Sequence, residues 1–285
     1  MYYMAPALLA IGVFAIYPIL NTIWLSLNRV MLSLKIYRFV GLDNYVRLFS
    51  DSKFYNAWIN TTVFTIATVL LETILGFIIA LVIINNFKGR GTVRAAILIP
   101  WAIPTVVSSR MWEWIFNSNY GVMNYLLHGI GLVDQYQNWL GTTSQAMWVI
   151  VFVDVWKTTP FMALLILAGL TTIPREMYES AKIDGCNRIQ SFFRITLPLV
   201  RPVLMVAMLL RALDAFRVFD LVFIMTQGGP ANSTEVLSSY TYKVLFNTTN
   251  FGYGSTLAVS MFLTVLVMAL VFFAVSHHYE KKEGA

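Results

Sequence analysis

The sequence predicts an all-α integral membrane fold of six transmembrane helices, on three observations. Of its 285 residues, 58 % are hydrophobic and only 12 % are charged, and the mean hydropathy is +0.68. That is about half the charge of an average soluble domain, too little to coat a water-exposed shell. The many Phe, Leu, Ile and Val residues also exclude a disordered chain. Second, six apolar runs occur, each close to the roughly 20 residues that a bilayer crossing needs. Third, no run alternates like a barrel strand, and backbone amides in lipid find partners only within helices or closed sheets.

The runs are taken as one membrane domain over 1–285, in order. The first, 5–28, contains Pro18. It lacks the basic leader and small-residue cleavage site of a secretory signal, so it reads as a retained span. The second covers 58–84 and the third 95–116, where Pro100 and Pro104 invite either a functional bend or simple packing accommodation. The fourth, fifth and sixth cover 146–170, 202–225 and 255–276.

Orientation comes from basic residues in alternate loops. One side holds Lys88, Arg90, Arg94, Arg175, Lys182, Arg188, Arg194, Arg201, Lys281 and Lys282; the other holds Arg29, Lys35, Arg38, Arg47, Lys53 and Lys243. Ten against six places both termini in the cytoplasm, although charge around the first span alone gives the inverted answer. The net charge of +6 fits loops facing anionic lipid; no basic stripe interleaved with aromatics points to nucleic acid. A single cysteine, Cys186, excludes internal disulfides and Cys-based metal clusters.

The most informative stretch, 172–198, lies on the cytoplasmic side. Pro174 suits a helix start, and Glu176 and Glu179 favour the positive end of its dipole. Gly185 suits a left-handed stop. Asn187 and Gln190 match a capping box for a second helix, which Pro198 and Pro202 are expected to end. Connectors in bundles usually run about two to eight residues, so this much order suggests a docking knob rather than a solvated link.

Glu179-Ser180-Ala181, three residues, Gly185, nine residues, then Ile195-Thr196-Leu197-Pro198 resembles the EAA signature of bacterial ABC importer permeases, with Ser180 replacing the first Ala. Gly41-Leu-Asp-Asn-Tyr45, Pro100-Trp-Ala-Ile-Pro104 and the stretch Phe219 to Pro230 resemble the first of two permeases in sugar importers of the maltose, trehalose and glycerol-phosphate kind. The resemblance implies a type I ABC importer permease fold in a bacterial inner membrane. It implies as partners a second homologous permease, a pair of cytoplasmic ATPases carrying ATP and Mg, an extracytoplasmic solute-binding protein and a sugar. It also implies that Glu176, Glu179, Ser180, Ala181, Asp184 and Gly185 form a coupling helix seated in an ATPase cleft, with Ile195, Leu197 and Pro198 shaping the helix that follows.

Ionisable residues within spans are costly and are functional candidates. Arg110 precedes Glu113 by three residues, Asp154 precedes Lys157 by three, and Arg211, Asp214, Arg217 and Asp220 form a ladder in steps of three. Residues three apart are neighbours on a helix, so each pair is expected to neutralise itself. The ladder either staples the fifth span to a partner permease or, with Trp112 and Phe216, lines a polar path for sugar hydroxyls. Glu72 has no opposite charge within one turn; it is either paired across helices or a proton carrier. Aromatic residues near span ends, including Trp101, Trp114, Tyr120, Trp139, Trp148 and Trp156, read as interfacial anchors, some of them able to stack on a sugar ring.

No phosphate-binding Gly-x-x-x-x-Gly-Lys-Ser/Thr loop occurs, so an ATP-driven mechanism needs its ATPase on another chain. No span holds a nucleophile beside a base, which argues against an intramembrane enzyme. The expectation is a permease subunit of an ATP-driven sugar importer. The alternative is a proton-coupled secondary transporter that uses Glu72. A disaccharide, a polyol glycoside and a phosphorylated polyol all remain compatible with these residues.

Overall fold

The computed structural model describes residues 5–283. Among them, five helices are long and apolar enough to cross a membrane: Leu9–Ser26, Ser52–Ile83, Thr143–Thr171, Arg188–Ala215 and Phe251–Ser276. A sixth crossing, counted as one, consists of Arg90–Ala102 and Thr105–Ile115, bent by 90°.

Helices α1 (Ala5–Ile11) and α2 (Tyr17–Ser26) are joined by a π-helical turn over Gly12–Ile16. That turn contains Phe14, four residues before Pro18. A proline ring crowds the carbonyl four residues back and offers it no N–H, and one extra residue in the turn makes room. A β-hairpin follows, β1 (Asn28–Met31) against β2 (Ile36–Phe39), antiparallel with Asn28 opposite Phe39. Next come the short α3 (Asp43–Leu48) and α4 (Ser52–Ile84). The 33 residues of α4 extend about 50 Å, well beyond a hydrocarbon core of about 30 Å.

Helices α5 (Arg90–Ala102) and α6 (Thr105–Ile115) meet at the bend, α7 (Val122–Gly129) is short, and α8 (Thr143–Thr171) is long. Helices α9 (Arg175–Ile183) and α10 (Arg188–Ser191) precede α11 (Leu197–Ala215). Here the structure corrects an expectation. Pro198 and Pro202 do not end the second loop helix: α10 runs through a π turn at Phe192–Thr196 straight into α11. The π turn holds Arg194, four residues before Pro198, the same accommodation as at Pro18. At its far end the helix stops at Ala215, ten residues before the expected 225, as bonds from Arg217 N to Asp214 O (3.1 Å) and Val218 N to Ala215 O (3.1 Å) tighten its last turn. Helices α12 (Asp220–Met225), α13 (Leu237–Tyr242) and α14 (Phe251–Glu283) complete the chain.

The chain divides into two compact units, one running up to Thr61 together with Glu235–Val267, the other comprising Thr62–Thr234 and the residues from Met268 onward. In the first, Asp51 is a hub. One of its oxygens accepts from the Tyr240 hydroxyl (2.6 Å) and the Tyr253 hydroxyl (2.5 Å), the other from the Lys53 amide (2.9 Å). Burial pushes the Asp51 carboxyl up, but these donors and the Phe54 amide outweigh it and hold it below the usual aspartate range. Asn44 donates to the Ser26 carbonyl (2.8 Å) and the Asn28 carbonyl (3.0 Å), fastening α3 to the strand start.

Gly252 lies hard against β1. A Cβ there would sit 2.1 Å from the Asn28 carbonyl oxygen and 2.9 Å from the Val30 amide nitrogen, both backbone atoms that cannot rotate aside. Gly252→Ala is therefore expected to lower the thermal unfolding temperature by the equivalent of about 3 kcal/mol, the upper end for overpacking. Gly129→Ala, which would meet nothing within 4 Å, serves as the control and should leave the melting temperature unmoved.

The second unit is built around Phe77, Ala80 and Ile83 of α4, Met162, Ile166 and Leu170 of α8, and Val200 and Ala207 of α11. Burying three helices against one another here leaves their polar groups to be satisfied locally, which sets up the charged cluster described next.

Candidate functional site

The 172–198 loop is a capped helix–turn–helix. Pro174 is extended (φ −60°, ψ 139°) and α9 begins at the next residue. It ends in a Schellman arrangement: Gly185 has φ +79°, the Cys186 amide donates to the Ala181 carbonyl (2.9 Å) and the Gly185 amide to the Lys182 carbonyl (3.2 Å). A side chain with a Cβ strains such a left-handed position. Asn187 and Gln190 then cap α10 reciprocally, at 2.8 and 2.9 Å. The Tyr178 hydroxyl bonds that of Thr196 (3.0 Å), and Tyr178, Phe192, Ile195 and Leu197 pack on the core cluster, so the knob is held to the bundle.

Of the residues singled out in the loop, Ala181 is buried and Ile195 and Leu197 are half-buried, while Glu176, Glu179, Ser180, Asp184, Gly185 and Pro198 are exposed. Large apolar side chains are exposed as well, among them Ile183 at 86 %, Ile189 at 70 % and Phe193 at 61 %.

The second feature is a cluster of buried charges joining three helices. The Arg211 guanidinium of α11 grips Glu72 of α4 with two donors, at 2.5 and 3.0 Å. It also pairs with Asp154 of α8 and with Asp214 one turn ahead (3.1 Å). The Thr158 hydroxyl donates to Glu72. Glu72 and Arg211 are almost wholly buried, whereas the Asp214 side chain is 70 % exposed. Glu72 is thus no lone acid. The expected Asp154–Lys157 pair is also corrected, because Asp154 turns to Arg211 on another helix, where a planar fork satisfies carboxylates better than an ammonium can. Arg110 and Glu113 do pair, at 2.7 Å, on an exposed face.

Lys157 has a different task. Ile103 is held extended (φ −72°, ψ 130°), the conformation favoured before a proline, and Pro104 begins α6. The break strips the end of α5 of partners for its carbonyls. The Lys157 ammonium donates to the carbonyls of Ile103 (2.8 Å) and Trp101 (3.4 Å), capping the negative end of that helix. Pro100 stays inside α5, so the bend belongs to Pro104. Lys157→Met leaves these acceptors unserved and should cost about 1–3 kcal/mol in thermal unfolding. Lys157→Arg, which keeps a cationic donor, should recover most of it, and equal losses in both variants would refute the capping role.

Trp112 packs edge-on to Phe152 and Trp156 and stacks on Phe116 (5.7 Å), and its indole N–H has no hydrogen-bond partner. Phe216 is buried. Arg217 and Asp220 are exposed and lie beyond the end of α11, so the expected ladder of four residues does not run along a single helix: Arg211 and Asp214 are on α11, and Asp220 opens α12. Among the described residues no group of three or more His, Cys, Asp or Glu side chains is arranged to hold a metal ion. Glu72 is thus paired across helices, one of the two readings its sequence context allows; the identity of its partner is not legible there, because Arg211 lies 139 residues away and no local spacing links them.

Comparison with known proteins gives a consistent result. The family model described as binding-protein-dependent transport system inner membrane component matches residues 72–283. The chain is 44 % identical to the trehalose/maltose transport system permease protein MalF of Thermococcus litoralis, over 95 % of this chain and 90 % of that one. It is 37 % identical to the trehalose transport system permease protein SugA of Mycobacterium tuberculosis (94 % and 85 % covered) and 36 % identical to the sulfoquinovosyl glycerol transport system permease protein SmoG of Agrobacterium fabrum (94 % and 87 %). Among solved structures, a bacterial ABC transporter involved in the import of the acidic polysaccharide alginate superposes with a TM-score of 0.84 at 24 % identity, covering 97 % of this chain and 94 % of that one.

Proposed function

The chain belongs to the family of binding-protein-dependent transport system inner membrane components, and we propose that it is the first of two permease subunits in an ATP-driven importer for a sugar or sugar glycoside. The carrying observation is the capped loop with the EAA spacing, ordered by Gly185 and Asn187 yet presenting Glu179, Ile183 and Ile189 outward. The named relatives, permeases for trehalose, maltose and sulfoquinovosyl glycerol, support the substrate class. The alginate transporter has also been solved with an oligosaccharide-bound periplasmic protein, which supports a solute-binding partner for this chain.

In this reading a separate pair of ATPase subunits binds ATP and Mg and takes α9 into a cleft, with Glu176, Glu179, Ser180, Asp184 and Gly185 on the contact. Both termini face the cytoplasm. Closure of the ATPase pair moves α9. The π turn and α10 transmit that motion without a flexible joint to α11, whose far end carries Arg211 and the exposed Asp214. The spans then rock from inward-open to outward-open, the binding protein releases its sugar, and hydrolysis resets the machine. Asp214, Arg217, Asp220 and Trp112 are the candidates for meeting the sugar, by hydrogen bonds and ring stacking. Phe216 and Arg211 support them from within.

The test is reconstitution in liposomes with the second permease, the ATPase pair and the solute-binding protein. Trehalose or maltose uptake should require ATP and every subunit. Uptake by this chain alone under a pH gradient, lost in Glu72→Gln, would instead establish a proton-coupled carrier.

A further inference from the structure

The transport reading leaves an apolar groove and a group of cations unexplained, and the two are contiguous. The groove has a volume of about 570 Å³ and is lined by α4, α5 and α8, including Leu75, Ile79, Ile97, Pro100, Phe152 and Trp156. Its lining hydroxyl, on Thr159, is already spent on the Val155 carbonyl (2.6 Å). From Trp148 to Pro160 along α8 the groove extends about 18 Å, close to the roughly 15 Å depth of one leaflet's acyl layer.

At one end of the groove sit Arg90 and Arg94. Arg90 Nε and an Arg94 terminal nitrogen both donate to the Ile83 carbonyl, at 2.9 and 3.1 Å, and Arg90 also reaches the Asn86 side chain (2.6 Å). Arg94 Nε is buried with no hydrogen-bond partner. Lys88 is exposed two residues earlier. Among the described residues no carboxylate lies within ion-pair distance of any of the three. Ile97 of the groove wall follows Arg94 by three residues on α5, and the Ile83 carbonyl that both guanidinium groups serve lies one turn beyond Ile79 on α4, so the arginines flank the end of the groove.

The geometry points to a binding site for an anionic phospholipid, with an acyl chain in the groove and the phosphate against Arg90 and Arg94. An anion completes the buried Arg94 Nε, which no apolar helix from a neighbouring subunit would do. The acyl chain fills a space that water would not. Two basic groups near a membrane surface distinguish an anionic from a zwitterionic headgroup by about thirtyfold.

Native mass spectrometry of the full chain, alone and in the assembled transporter, with phosphatidylglycerol or phosphatidylcholine of matched chains tests this. Wild type should retain phosphatidylglycerol about thirtyfold better. Arg90→Gln with Arg94→Gln should erase the preference, while Ile97→Trp, which fills the groove, should reduce retention of both lipids. Equal retention of the two lipids by wild type would overturn the proposal. So would a preference surviving the double replacement, equal binding of dihexanoyl-phosphatidylglycerol or inorganic phosphate, or loss of the lipid once the second permease joins. Circular dichroism and thermal unfolding of each variant separate lost binding from lost fold.

Discussion

Arg211→Met is expected to be the most damaging single replacement in the bundle, costing about 3–5 kcal/mol and removing most folded protein from the membrane. Glu72 and Asp154 sit on different helices and both are answered by this one guanidinium. Deleting it leaves two carboxylates facing each other in an environment with little water to solvate them. The cost comes from those orphaned acids rather than from a large net benefit of the ion pairs themselves, so a second set of variants discriminates. Adding Glu72→Gln and Asp154→Asn to Arg211→Met should recover much of the thermal stability, because neutral amides of the same shape bond each other and Thr158. Asp214→Asn, whose side chain reaches solvent, should leave stability near wild type. Thermal unfolding in a fixed detergent, read for all four proteins, measures this. A single variant Arg211→Met as stable as wild type would show that the cluster does not carry the packing of α4, α8 and α11.

What could be read from the sequence and what could not divides along the distance between interacting residues. The caps of the loop were legible because their chemistry is local: Gly185 for a left-handed residue, Asn187 and Gln190 three apart for a reciprocal cap. The helical membrane class was legible from composition and run length. The same local logic misled where tertiary partners intervened. Asp154 and Lys157 satisfy the spacing of a helix-surface pair, yet each has a better partner elsewhere, Arg211 for one and the exposed carbonyls at the α5 break for the other. The end of α11 at Ala215 is hidden because Phe216 to Met225 stays mostly apolar, keeps Arg217 and Asp220 in the same steps of three, and carries neither glycine nor proline. The hairpin at 28–39 is not legible in the sequence, because its strands have only four residues each, too few to establish an alternation.

Gly185→Val and Glu179→Lys are each expected to abolish sugar uptake, by at least about a hundredfold, while the solute-binding protein still takes its ligand and the permease still folds. The two act by different physics. At φ +79° a β-branched residue is an outlier of the backbone map, so valine displaces the turn between α9 and α10 and swings the knob away from its seat. Nothing lies within 4 Å of a Cβ there, so the damage is conformational and confined to the loop. Lysine at 179 leaves the turn intact and reverses one exposed charge at the fifth position of α9, past the first turn on which the helix dipole acts, so it costs the helix itself less than about 1 kcal/mol. A loss of uptake far larger than that stability effect therefore has to arise at a contact. The discriminating measurement is ATP hydrolysis by the reconstituted complex. Uncoupled or unassembled ATPase activity, no longer stimulated by loaded binding protein, with unchanged melting of the permease, is the result that fits a mechanical contact through α9. Normal stimulated hydrolysis and uptake in both variants would detach the knob from the transport cycle. Asn187→Ala removes one side of the reciprocal cap and should fall between these extremes, because it weakens α10 by about 1 kcal/mol without obstructing the surface that α9 presents.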